Sequence, residues 1–329
     1  MKLLVILTVV IGVILLYFIS LVITRRNNYK LFMNATETPK NLECFIDKQA
    51  ISEGLEYFKT KKIIICGLMR DTAKNINNIK KAIDTKIKDV FLDYHVLIVE
   101  NDSTDGTREQ LLQWMNENKK ITILGCGVNV KSCKLKGEKT LGHSKNEGRI
   151  AKMVMLRNIY QDYIADNSQL FQDYDFVLMW DMDIMGTFYI DGLGSTGYIF
   201  KNSPEVNVLC SNGIRPLHLW GFTTSYTYAD PYAHEEIGDD PTSEVGRTAK
   251  LEDLLMQWKE KCDSSDDGSK PVISCFGGLT MYRKASIEGK KYILQQGKNY
   301  PLCEHRTFHS QISGVYINKK LIFMILDND

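Results

Sequence analysis

The sequence predicts an α/β fold built on a doubly wound, mostly parallel sheet flanked by helices, and three observations carry that expectation. Apolar runs of strand length lie at 63–68, 94–99, 121–124 and 176–180, the first and last unbroken, the pattern of strands covered on both faces. Between the first three are segments with apolar residues at helical spacing, 72–88 (Ile76, Ile79, Ala82, Ile83, Ile87) and 108–118, so strand and helix alternate as parallel units require. Polar clusters follow the strands at Glu100-Asn101-Asp102 and Asp181-Met182-Asp183, and carboxyl ends of strands are where open α/β sheets gather ligands.

Ahead of the sheet, residues 3–24 carry no charge, and at about 1.5 Å per residue they are long enough to cross a hydrocarbon core of about 30 Å. The run is too long for the apolar core of a cleavable signal and lacks a small-x-small cleavage site, so residues 1–26 are expected to be an uncleaved transmembrane anchor. Arg25, Arg26 and Lys30 outweigh Lys2, which favours a cytoplasmic main domain. The acceptor pattern Asn34-Ala35-Thr36 would matter only on a lumenal one. Residues 27–61 are polar and mixed and are expected to form a stem with a short helix around 51–58. The globular domain is then 62–329, divided near 185.

Composition excludes some classes. The 41 basic and 40 acidic residues leave a net charge of +1, which offers nucleic acid no global field. Eight cysteines include no Cys-x-x-Cys pair, against a zinc ribbon or redox motif. Cys66 and Cys210 lie in apolar runs, where a free thiol packs as a small hydrophobe, and disulfides stay open and unassigned.

The chemistry concentrates at Asp181 and Asp183. Asp-x-Asp occurs three times, at 173/175, 181/183 and 327/329, but only the middle pair follows a buried strand. On an extended exit the period of two aims both carboxylates to one side, where they can hold a hard divalent cation, Mn²⁺ or Mg²⁺, against phosphate oxygens. After the second strand, Glu100 to Thr107 can hold a ribose or base, or can cap the next helix. The glycine- and lysine-containing loop 125–146 is long enough to be a binding loop, and helix 149–164 carries Arg149 and Arg157 towards the acid strand. Leu217 to Tyr232 is rich in aromatic residues, Trp220 among them, as a sugar platform or a core would be.

Taken in order, the Glu100–Thr107 turn, the helix with Arg157-Asn158 and apolar-Trp-Asp181-Met-Asp183 resemble the nucleotide-binding half of a GT-A glycosyltransferase. Phe276-Gly277-Gly278-Leu279 resembles the acceptor-side glycine segment of that fold, and Cys303-Glu304-His305-Arg306-Thr307-Phe308-His309 stands where its late acidic motif lies. Tyr228-Ala-Asp230-Pro together with Cys-Glu-His is most similar to the fungal capsular α-1,3-mannosyltransferase group. The likeness covers roughly residues 62–326. The chain departs from it at Glu100-Asn101, where many GT-A enzymes have paired aspartates.

The resemblance implies a single-pass ER or Golgi glycosyltransferase that moves a sugar from a nucleoside-diphosphate donor to a glycan or glycoconjugate hydroxyl. Residues 62–185 would form the nucleotide-sugar half and 186–329 the acceptor half. Glu100, Asp102, Arg149, Arg157 and Asp181 are expected to hold the donor, and Asp181, Asp183 and His309 the metal. Gly277, Gly278, Asp230 and Trp220 are expected to face the acceptor, and Glu304 to act as base unless it only pairs with Arg306 or binds an acceptor hydroxyl. Competing expectations are a sugar nucleotidyltransferase, disfavoured by the single glycine in Gly67-Leu68-Met69-Arg70-Asp71, and a Ca²⁺-dependent carbohydrate-binding protein.

Overall fold

The computed structural model describes residues 2–40, 42, 47–128, 147–219, 222–240 and 267–326. The expected strands form where the apolar runs lie: β1 (Lys62–Met69), β2 (Asp93–Glu100), β3 (Ile121–Gly125) and β4 (Phe176–Trp180). They pair in parallel in the order β3-β2-β1-β4, joined by α3 (Ile76–Lys86) and α4 (Thr107–Glu117). Side chains alternate between two cores. Ile63, Ile65, Val96 and Ile98 pack on one face, and Ile64, Cys66, Leu97 and Val99 on the other, as the period of two demands.

Beyond β4 the sheet is mixed, which departs from the mostly parallel expectation. It continues through β5 (Gly186–Phe188), β6 (Val208–Leu219), β7 (Phe222–Tyr228), β8 (Ser269–Pro271), β9 (Leu279–Arg283) and β10 (Val315–Ile325). β9 runs antiparallel to both β4 and β6, while β6 and β10 are parallel. β10 carries a register irregularity between Asn318 and Ile322.

Described residues of the expected stem pack on the domain. Phe32 is buried among Tyr189, Ile322 and Met324, and the Thr38 N–H donates to Asp191 Oδ1 at 3.0 Å. α2 (Lys48–Phe58) begins with Asp47 accepting from the Gln49 and Ala50 N–H groups and ends with Phe58 in the core. It lies so close to α6 (Ile190–Asn202) that a Cβ on Gly54 would come within 1.8 Å of the Gly194 carbonyl oxygen. Ahead of these, α1 (Lys2–Asn28) leaves its apolar side chains exposed, Leu16 by 67%. Among the described residues one helical stretch, Val5–Met33, is long and apolar enough to cross a membrane.

Of the two cysteines in apolar runs, Cys210 forms a disulfide with Cys275, which ties β6 to the segment entering Gly277. Cys126 is also disulfide-bonded. Cys66 is a buried free thiol, as its apolar run suggested.

Candidate active site

The acid pair owes its position to β4, whose five residues are all buried. The chain leaves β4 in a turn rather than extended, with the Asp181 carbonyl accepting from the Ile184 N–H. Met182 nevertheless packs into the core, so close over Gly67 that a Cβ there would lie 2.4 Å from its sulfur. Asn75 Nδ2 holds the turn through the Met182 and Ile184 carbonyls, each at 3.2 Å. Asp181 and Asp183 thus both face a cleft of about 620 Å³.

β9 supplies the opposite wall. Its register sets Leu279 beside Trp180, so the Asp181 N–H donates to the Gly278 carbonyl at 2.9 Å. Gly277 adopts φ +66°, and a Cβ on it would meet the Ser211 carbonyl oxygen at 2.3 Å, a conformation and an approach that only glycine permits. The Gly277 N–H donates to Asp230 Oδ2 at 3.3 Å, and the Ala233 N–H to Oδ1 at 3.4 Å. Arg149, Arg157, Gly278, Asp230 and Glu304 line the same cleft as Asp181 and Asp183.

Arg157, on α5 (Glu147–Asp166), joins the two walls. Its Nη2 donates to Asp181 at 3.1 Å and its Nε to Glu304 Oε1 at 3.0 Å, with 3% of its side chain exposed. The arginine is therefore a buried counter-ion rather than a free phosphate clamp, and Arg149 is the helix's other guanidinium on the cleft. The expected alternative of a Glu304–Arg306 pair is not formed, because Arg306 Nε donates to Glu235 at 2.7 Å.

Four carboxyls, Asp181, Asp183, Asp230 and Glu304, share the cleft with Arg70, Arg149, Lys152, Arg157 and Arg215. Burial, reinforced by the Asp181 charge, pushes the Asp230 carboxyl up to about 7. Asp183 is exposed to water but sits between the cleft walls, and that surrounding together with Asp181 pushes it up to about 7 as well. Burial also raises Asp181, against the pull of Arg157. Carboxylates crowded in this way are where a divalent cation reverses the balance. Among the described residues no group of three or more His, Cys, Asp or Glu side chains is placed to hold a metal. The two oxygen-donor aspartates fit a hard cation that completes its sphere with phosphate oxygens and water.

Three expected site residues stand elsewhere. His309 is a core residue: its Nε2 faces the Tyr282 hydroxyl at 2.8 Å and its Nδ1 the Ser274 hydroxyl at 3.1 Å. With both nitrogens engaged and 1% exposure, no lone pair is left for a metal, which corrects the expected ligand role. Glu100 is fully buried and accepts from Arg108 Nε and Nη2 at 2.9 and 2.7 Å and from the Ser103 N–H at 2.6 Å; its oxygens shape the turn instead of holding a donor. Asp102 lies 3.6 Å from Arg108, with 32% of its side chain exposed and φ +53°. Trp220 falls outside the described residues, as do the lysines of the 125–146 loop, Lys131 to Lys145.

The hydroxyl-rich turn does not cap α4 in the ordinary way. It is stitched to the loop after β1: Thr104 N–H to Asp71 at 2.7 Å, Thr72 N–H to Thr107 Oγ1 at 2.8 Å, Ala73 N–H to Asp105 at 2.9 Å. That stitching leaves Arg70 and Asn101 on the cleft. Arg70 is not among the expected site residues and Asn101 only belongs to the polar cluster after its strand; each directly follows a strand, and that position is the available signal.

Fold and site together define an α/β protein with an acid-centred cleft at the carboxyl ends of its parallel strands. No protein-family model and no curated protein matches the chain. Solved structures do. A mannosyltransferase from Pyrobaculum calidifontis in complex with GDP-Man and Mn²⁺ matches at 10% identity and TM-score 0.42, over 97% of this chain and 68% of that one. Residues 1–349 of S. aureus TarS match at 11% and 0.40, over 81% and 58%. GalNAc-T7 with UDP, GalNAc and Mn²⁺ matches at 10% and 0.48, over 82% and 44%. This chain thus spans about half the length of the last two. At such identities and scores the likeness carries no function across.

Proposed function

We propose that this chain is a membrane-anchored, metal-assisted glycosyltransferase that moves a sugar, mannose being the candidate suggested by the capsular-type motifs, from a nucleoside-diphosphate donor to a glycan or glycoconjugate hydroxyl. The observation that supports it best is the single cleft joining Asp181 and Asp183 to Arg149 on one side and to Gly278, Asp230 and Glu304 on the other. Asp181 and Asp183 would hold Mn²⁺ or Mg²⁺. When bound, the cation would neutralise charge developing on the diphosphate leaving group. Arg149 is placed to meet the diphosphate and Arg157 to fix Asp181. Glu304, kept in place by Arg157, is the candidate to take the acceptor hydroxyl's proton if transfer inverts the sugar, and Asp230 with the glycine segment would form the acceptor wall.

α1 would anchor the protein in an ER or Golgi membrane. The Cys210–Cys275 disulfide supports a lumenal domain, since disulfides persist in oxidising compartments; that outweighs the modest basic excess after the apolar run.

Calorimetry on the full chain in detergent, with UDP and GDP and with and without Mn²⁺, tests the reading. Binding that strengthens with Mn²⁺, and hydrolysis of at least one nucleotide sugar, are expected. A protein that binds free sugars with Ca²⁺ and ignores nucleotides would be a lectin, and the reading would fall.

Asp102 is proposed to contact the donor's ribose or base. Its positive φ makes alanine a confounded test, whereas asparagine tolerates that backbone. Asp102→Asn should raise the donor KM several-fold with kcat nearly unchanged, the mark of lost ground-state binding. A lowered melting temperature with unaltered KM would assign the residue to the turn alone.

A further inference from the structure

One polar side chain in the cleft has no hydrogen-bond partner among the described residues. His305 lines it beside Glu304, is 2% exposed, and neither of its ring nitrogens makes a hydrogen bond. Glu304 Oε1 lies 3.9 Å from Nε2, beyond hydrogen-bond reach. The ring is stacked on Phe276 at 3.7 Å between centroids and 17° between planes, so its edge is fixed in direction. Buried polar atoms ordinarily find partners, and an orphan calls for an explanation such as a missing ligand.

We propose that His305 hydrogen-bonds hydroxyl groups of the donor's sugar, an inference that rests on the glycosyltransferase reading and assigns one of its specificity contacts. Burial, reinforced by the Arg157 charge, pushes the imidazole well below its ordinary pKa, so the ring is neutral. A neutral imidazole has one donor and one acceptor nitrogen. A phosphate, which only accepts, or a metal, which only takes a lone pair, would leave one nitrogen unsatisfied. Hydroxyl groups donate and accept, and a sugar presents several. Position selects the donor's sugar: contacts run from His305 to Glu304, to Arg157 and to Asp181, so the histidine stands two side chains from the proposed diphosphate platform.

The test compares, for wild type, His305→Phe and His305→Gln full-length protein, the affinity for UDP and GDP with that for their glucose, galactose, mannose and N-acetylglucosamine conjugates in Mn²⁺. Phenylalanine keeps the stack and removes both nitrogens; it should melt at or above wild type, because a buried orphan is replaced by an apolar ring. Affinity for the bare nucleotide should be unchanged, while the ratio of nucleotide-sugar to nucleotide affinity falls about tenfold. Glutamine, which keeps a donor and an acceptor, should recover part of that ratio. A ratio unchanged in His305→Phe, or in His305→Ala should the phenylalanine variant not fold, overturns the assignment while leaving the enzyme reading standing. Wild-type protein that binds no nucleotide overturns both.

Discussion

Asp183→Asn is expected to remove sugar transfer almost entirely while leaving the fold intact. The amide keeps the volume but replaces an anionic oxygen with a neutral one at the group proposed to hold the cation. Loss of one such electrostatic contact to a transition state costs about 3–4 kcal/mol, or about 10² to 10³ in kcat. Stability should move the other way. The Asp181 charge raises the Asp183 pKa, so neutralising Asp183 relieves repulsion in the metal-free protein, and the melting temperature should hold or rise. That opposition, activity down and stability level or up, distinguishes a functional carboxylate from a structural one. Steady-state transfer, thermal melting and an excess of EDTA check it together. Full transfer by the variant, or by wild type in EDTA, would sink the metal assignment.

Arg157→Met carries the second large effect, and it falls on folding as well as on activity. Methionine fills much of the arginine stem's space but leaves Asp181 and the 5%-exposed Glu304 without their shared cation. Breaking a buried charge pair from one side typically costs about 3–5 kcal/mol. The denaturant midpoint should therefore drop sharply, and Arg157→Met with Glu304→Gln should recover part of the loss because one of the stranded carboxylates is then neutral. A single variant that loses less than about 1 kcal/mol would show that the arginine compensates little. Transfer should fall in both variants, since Asp181 loses the contact that orients it.

Glu304 shows why such pairs are hard to read in a sequence. Arg306 lies two residues away and Arg157 is 147 positions distant, yet the distant one is the partner, because α5 and the short helix Glu304–His309 meet over the end of β4. The two histidines of that short helix make the same point. His305 and His309 are one helical turn apart and equally plausible as ligands by spacing, but His309 is enclosed by Tyr282 and Ser274 while His305 faces the cleft.

The sequence by itself determined the sheet's parallel half and the position of the acid pair. Ile63 to Leu68 and Phe176 to Trp180 are apolar at every position, and a chain of that composition satisfies its backbone and both its faces only as a buried strand. Asp181 and Asp183 then follow at the strand's carboxyl end by chain geometry alone. Only the tertiary structure decided which polar groups serve one another. It paired Arg108 with Glu100 and Arg157 with Glu304 and Asp181, joined Cys210 to Cys275, and set Phe32, Thr38 and α2 against the domain. The physical reason is range: periodicity is set by neighbours along the chain, whereas a charge or a thiol is satisfied by whatever the packing of distant elements brings within a few ångströms.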